Sequence, residues 1–163
     1  KSAEIICKDS KFLALNAQIN SFNIGFHTIR NYKKFNTLII NEKEIRHEMR
    51  DKISKLEVLM SNLSKEKNIK NLIVTHGNKG SILFHKTKNK FYYVDAYAKK
   101  IVDKIGAGDT MLSLISPCLK HNMDKDIALL LSSLAASQSV ESLGNKNTIS
   151  KLKILKTLEN ILK

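Results

Sequence analysis

Residues 102–115, VDKIGAGDTMLSLI, run a glycine loop straight into a helix. Gly106 and Gly108 bracket Ala107, and Asp109 follows at once. Beyond it Met111, Leu112, Leu114 and Ile115 recur at helical spacing. The first N–H groups of a helix lack internal partners, and the helix dipole adds partial positive charge there. Glycine lets a bulky anion approach such a backbone closely. A carboxylate beside an anion site is unfavourable by charge alone. It makes chemical sense if Asp109 takes a proton from a hydroxyl that attacks the phosphate. GAGD by itself is equally consistent with a shaped turn and Asp109 as a helix N-cap. A dinucleotide fingerprint is excluded, because its third glycine falls at Met111, and no Gly-Lys-Ser/Thr of a Walker loop is present.

The rest of the chain alternates short apolar runs with helical patterns. Residues 12–17, FLALNA, read as a buried strand, residues 18–27 as a loop, and residues 26–34 as a short helix. Residues 37–40 read as a second strand ending at Asn41. One helix is expected from Glu42 to about Met60, with Ile45, Met49, Ile53, Leu56 and Leu59 or Met60 on one face. Residues 62–68 read as a polar linker, and residues 72–75 as a third strand. Residues 81–85 and 90–96 suit a hairpin joined by a lysine-rich turn. The glycine loop then feeds a helix to about His121, kinked or shortened by Pro117. Residues 123–140 and 149–162 read as two further helices, with Gly144 in the break between them. This alternation predicts an α/β fold: three α-β-α layers around a mostly parallel sheet. Ligands of such sheets sit beyond the carboxyl ends of the strands. Asn41, Thr75 to Gly77 and the loop before Asp109 all fall there.

Charge and cysteine content narrow the partners. The net charge is +13, yet Arg30, Arg46 and Arg50 are the only arginines among 28 basic residues. Base readout and bidentate phosphate clamps favour arginine. The excess is therefore read as solvated lysine, and a nucleic-acid partner is not expected. Cys7 and Cys118 form no C-x-x-C pair, and His27, His47, His76, His85 and His121 show no metal-ligand spacing. A reducing, cytoplasmic setting and no zinc site are the expectation. No segment reaches the ~18 consecutive apolar residues of a membrane span, so no membrane partner is expected.

Three motifs in order resemble the ribokinase-like sugar kinases, the phosphofructokinase B family. The family's D-T-x-G-A-G-D is similar to Asp103-Lys104-Ile105-Gly106-Ala107-Gly108-Asp109. Its N-x-x-E is similar to Asn41-Glu42-Lys43-Glu44, and its strand-end T-x-G-x-x-G to Thr75-His76-Gly77-Asn78-Lys79-Gly80. The resemblance covers residues 12–162. It implies ATP-dependent phosphoryl transfer to a hydroxyl of a sugar or sugar phosphate. Asp109 would be the base, and the amides of Gly106, Ala107, Gly108 and Asp109 the anion hole. Asn41 and Glu44 would organise Mg2+, partly through water. Thr75, Gly77 and Gly80, with Asn41, would line the nucleotide site. The segment 135–144 would border the adenine, and Asp103 would help to hold a monovalent cation. Against this stand ordinary roles: Asn41 and Glu44 as helix-start residues, Thr75 and Gly77 as turn chemistry.

The chain departs from the family pattern at Lys104, where a small polar residue is usual. It also starts at Lys1 and lacks the family's N-terminal half, with its sugar-binding Gly-Gly segment and lid. The expectation is therefore the C-terminal, nucleotide-binding and catalytic part of one ribokinase-like domain spanning 1–163. That piece alone is not expected to phosphorylate a sugar efficiently. Residues 16–29, NAQINSFNIGFHTI, are similar to a subgroup near the heptose-phosphate kinases, often fused to a nucleotidyltransferase domain. A fused domain of that kind or a homodimer is the partner arrangement allowed. Asn16, Gln18, Asn20 and Asn23 suit either a polyol or a solvated loop. The alternative function is a catalytically degenerate kinase-like module that binds nucleotide or a protein partner.

Overall fold

The computed structural model describes residues 2–17, 29, 32–98, 100–103, 105–141 and 148–161. They form two compact units. One comprises residues 1–76 with 82–92, the other residues 77–81 with 93–163. The expected loop at 18–27, most of the helix expected at 26–34, Lys104 and the Gly144 break lie outside the described residues.

The first unit is built on parallel strands. β1 (Ala14–Asn16), β2 (Thr37–Asn41) and β3 (Asn71–Thr75) are each followed in the five-stranded sheet by their neighbour in sequence. β1 pairs parallel with β2, and β2 with β3. β4 (Ser81–His85) and β5 (Lys90–Val94) complete the order β1-β2-β3-β4-β5. In β2 and β3 four successive residues are buried, as a parallel strand covered on both faces requires. Leu38, Ile40, Leu72 and Val74 join Ile45, Leu59, Met60 and Leu63 in one core. Each such side chain contributes roughly 1.5–3 kcal/mol by leaving water. Phe84 and Phe91 add a tilted ring pair with centroids 4.5 Å apart.

Two expectations about helices are corrected here. The single helix from Glu42 to Met60 is two helices, α2 (Glu42–Met49) and α3 (Leu56–Glu66). Arg50 takes the left-handed conformation at φ 52°. The Arg50 N–H then donates to the His47 carbonyl, and the Asp51 N–H to the Arg46 carbonyl. This is a Schellman closure, formed here without glycine. Asp51 Oδ1 then accepts from the amides of Ile53 and Ser54, both at 2.9 Å, and fixes the turn. Ile53, expected on the apolar face, is 96% exposed. The polar linker expected at 62–68 is instead largely the end of α3, where Leu63 and Ser64 are buried. Ser64 Oγ donates to the Ile69 carbonyl at 2.7 Å, which makes a hydroxyl tolerable there. A helix α1 (Ser2–Asp9), not expected from the sequence, precedes β1.

The second unit holds α4 (Ala107–Lys120), α5 (Lys125–Val140) and α6 (Lys151–Ile161). α4 runs through Pro117 to Lys120 rather than stopping at it. Met111, Ile115 and Leu119, four apart, form its buried stripe, and α4 packs along α5. α5 buries Ala128, Ser132, Ala135 and Ser139 among its contacts, the small residues of a close approach. Gln138 ties α6 to α5: its Oε1 accepts from the Ser150 N–H at 2.9 Å, and its Nε2 donates to the Ser150 carbonyl at 3.2 Å. No described helix is long and apolar enough to cross a membrane.

Candidate active site

In the first unit the parallel register brings two of the three motifs together. Asn41 and Thr75, the last residues of β2 and β3, are direct partners across the ladder. Both stand at the carboxyl edge, where such sheets bind ligands. Asn41 also starts α2. Its Oδ1 accepts from the Glu44 N–H at 2.9 Å, and Glu44 Oε2 accepts from the Asn41 N–H at 2.8 Å. This is a complete capping box. The helix-start role of Asn41 and Glu44 is thus present, and Glu44 is buried to 6% exposure. Among the described residues no three His, Cys, Asp or Glu side chains cluster as a metal cage. Asn41 Oδ1 and Glu44 Oε2 are both engaged in that cap, so a hard cation served by these residues would be reached through its own waters, the habit of Mg2+.

Past the strand ends, side chains continue the contact. His76 Nε2 lies 2.5 Å from Glu42 Oε2. Glu42 Oε1 accepts from Arg46 Nε at 2.9 Å and lies 2.9 Å from the same guanidinium's NH2. Sequence reading did not single out Glu42 or His76. The signal was available in their places, one residue past the ends of two adjacent parallel strands.

The second unit carries the glycine motifs. Gly77, at φ 58°, and Gly80, at φ 86°, are both left-handed, and the Gly80 N–H donates to the Gly77 carbonyl at 3.2 Å. The two differ in their surroundings. A Cβ on Gly77 would meet nothing within 4 Å, whereas one on Gly80 would lie 1.9 Å from the Val94 carbonyl oxygen. Gly80 is there to let the backbone pass; Gly77 leaves open space beside the loop.

Gly106 is the N-cap of α4 at φ 83°, a conformation that favours glycine. Ala107, Gly108 and Asp109 are therefore the first three helical residues, and the first helical bond runs from the Thr110 N–H to the Gly106 carbonyl at 2.9 Å. Asp109 is not the N-cap; it lies in the first turn. No side chain caps this helix end. Upstream, the amides of Val102 and Asp103 both donate to the Val140 carbonyl, at 2.8 and 3.1 Å. The approach to the glycine loop is thereby tied to the end of α5, within the segment carried over as the adenine border. Asp103 Oδ1, carried over for a monovalent cation, accepts from the Ile105 N–H at 2.9 Å. Cys118, half-buried on α4, has its thiol pushed up in pKa by burial, which suits an unreactive packing residue.

The model of the pfkB family of carbohydrate kinases matches residues 4–152. The bifunctional protein HldE of Campylobacter concisus is 31% identical over 117 residues, which cover 70% of this chain and 24% of that protein. Ribokinase of Arabidopsis thaliana, solved with ribose and ATP, superposes with a TM-score of 0.76 at 22% identity, covering 96% of this chain and 50% of that one. A ribokinase II of E. coli, solved with ATP and Mg2+, gives 0.78 at 19% identity, covering 98% and 52%. The chain has the ribokinase fold and spans about half the length of these structures.

Proposed function

We propose that this chain, which belongs to the pfkB family of carbohydrate kinases, is the nucleotide-binding and catalytic part of an enzyme that transfers the γ-phosphoryl group of ATP to a sugar or sugar-phosphate hydroxyl. The observation that carries the reading is the start of α4. There a left-handed glycine is followed by a first turn that ends in a carboxylate. In the reaction Asp109 accepts the hydroxyl proton as the substrate oxygen bonds to phosphorus and the bond to ADP breaks. The amides of Gly106, Ala107, Gly108 and Asp109 face the negative charge of the transferring group. Thr75, Gly77 and Gly80 are assigned to the nucleotide. Asn41 and Glu44 are assigned to Mg2+ through its waters, and the ion supplies charge neutralisation on the phosphates. Structural neighbours solved with ribose and ATP, or with ATP and Mg2+, support the choice of nucleotide, metal and substrate class. Similarity to a bifunctional protein, of which this chain matches 24%, supports a place for this part in a longer polypeptide.

The test is Asp109→Asn in the full-length protein. Asparagine preserves shape, and the N-cap, Gly106, is untouched. Turnover is expected to fall by about 10²–10⁴-fold, the usual worth of a general base. ATP affinity and melting temperature are expected to hold. Near-normal turnover would remove Asp109 from the chemistry. ATP binding by the unmutated protein without transfer to any sugar would instead make it a degenerate, nucleotide-binding module.

A further inference from the structure

We propose that Glu42, with His76 as its partner, is a positioning residue that sets the spacing between the N-x-x-E helix start and the strand end bearing Thr75. The inference concerns residues of the first unit alone. Backbone pairing between β2 and β3 ends at Asn41 and Thr75. The next residue on each chain is Glu42 or His76, and these two meet at 2.5 Å. A side-chain bond thus extends the ladder one residue past its last backbone pair.

The carboxylate is held from its other side as well. Glu42 Oε1 takes the Arg46 guanidinium, and Arg46 NH1 donates to the Ser54 carbonyl at 3.0 Å. Ser54 lies in the turn that Asp51 closes. Each oxygen of Glu42 has its own partner, so the side chain is fixed at both ends. Its charge also suits the first turn of α2, where the helix dipole favours an anion. Glu42 and His76 are half-buried, at 27% and 24% side-chain exposure. Ion pairs so exposed contribute little to stability. Bulk stability is thus a poor reason for so directed an arrangement. Fixing where Asn41 and Thr75 stand is a better one, because phosphoryl transfer depends on positioning.

The test uses the full-length protein with Glu42→Ala, His76→Ala, the double variant and His76→Gln. Two readouts are taken, ATP affinity by calorimetry with Mg2+ and amide exchange at Asn41, Thr75 and His76. Each alanine variant is expected to weaken ATP by about fivefold, with the double variant no weaker than Glu42→Ala alone, because the two act as one unit. His76→Gln, which keeps an N–H donor, is expected to recover most of the affinity. Exchange at Thr75 and His76 is expected to quicken in Glu42→Ala without a matching fall in melting temperature. Multiplying losses in the double variant, unchanged exchange, or a fall confined to melting temperature would overturn the proposal. The ATP arm rests on the kinase reading, whereas the exchange arm does not. A protein that binds no ATP yet shows the exchange change would refute the kinase reading and retain the positioning role.

Discussion

The T-x-G-x-x-G motif offers a paired substitution whose two halves should behave differently. Gly77 and Gly80 both have positive φ, so alanine at either incurs left-handed strain of roughly 1–2 kcal/mol. At Gly77 that is the whole cost, since no atom lies within 4 Å of the new methyl. At Gly80 the methyl would stand 1.9 Å from the Val94 oxygen and 2.7 and 2.8 Å from two backbone atoms of Asp95. Backbone cannot rotate aside as a side chain does, so the loop or the end of β5 must move. Overpacking of this kind adds about 1–3 kcal/mol, giving a total of about 2–5 kcal/mol for Gly80→Ala. Urea unfolding of the full-length protein measures both. Gly80→Ala is expected to lower the midpoint clearly more than Gly77→Ala. ATP titration then separates function from fold. Gly77→Ala is expected to lose nucleotide affinity with no loss of stability beyond that strain, because its methyl occupies the open side of the loop. Equal destabilisation by the two variants would refute the reasoning from Cβ space. Undiminished ATP binding by Gly77→Ala would remove that glycine from the nucleotide site.

Two further outcomes are expected. Glu44→Gln retains an oxygen for the Asn41 amide and so keeps the capping box; the Mg2+ requirement should rise with melting temperature nearly unchanged, and an unaltered requirement in a magnesium titration would leave Glu44 as a cap alone. Asp51 is held at a pKa of about 2 by hydrogen bonds from the Ser54 hydroxyl, then from the Ser54 and Ile53 amides. A depressed folded-state pKa contributes stability above the ordinary carboxylate value of 3.8 and loses it as pH falls toward 2; Asp51→Asn should flatten that part of the stability–pH curve, as acid unfolding would show.

β2 and β3 were readable because each is a short apolar run ending in Asn or Thr, as a parallel strand buried on both faces must be. The start of α4 was readable because glycine is the residue that takes a left-handed turn freely, and helical apolar spacing begins just beyond it. The break between α2 and α3 was hidden by coincidence. Ile45, Met49, Ile53 and Leu56 keep helical spacing across a turn that is not helical. What ends α2 is an arginine in the left-handed region, a residue that gives no stop signal of its own. The end of α3 misled in the opposite sense. Asn62, Ser64, Lys65 and Glu66 are polar in composition, but Ser64 is buried by satisfying its hydroxyl within the turn. The places of Glu42 and His76 just past two strand ends were legible, but their contact depends on the register of those strands, which no local pattern reveals.

The two helix starts in these motifs resolve the same backbone problem in opposite ways. At α2 the Asn41 side chain takes the third helical amide, and the third residue's carboxylate returns to the Asn41 amide. That end is satisfied by its own residues, so a cation reached through water is a compatible neighbour. At α4 the cap position is glycine, with no side chain to turn back, and the third residue is again acidic. Helices α3 and α5 also lack a side-chain cap, but they begin at Lys55 and Asp124 with ordinary negative φ. Among the helix starts whose caps are described, only that of α4 combines a left-handed glycine with small residues at the first two helical positions. A carboxylate at the third helical position is worth only about 0.3–1 kcal/mol through the dipole. Asparagine at 109 would forfeit that and no cap. A thousandfold loss of turnover corresponds to about 4 kcal/mol of barrier. A result of that size in Asp109→Asn could not come from the helix start and would have to come from proton transfer.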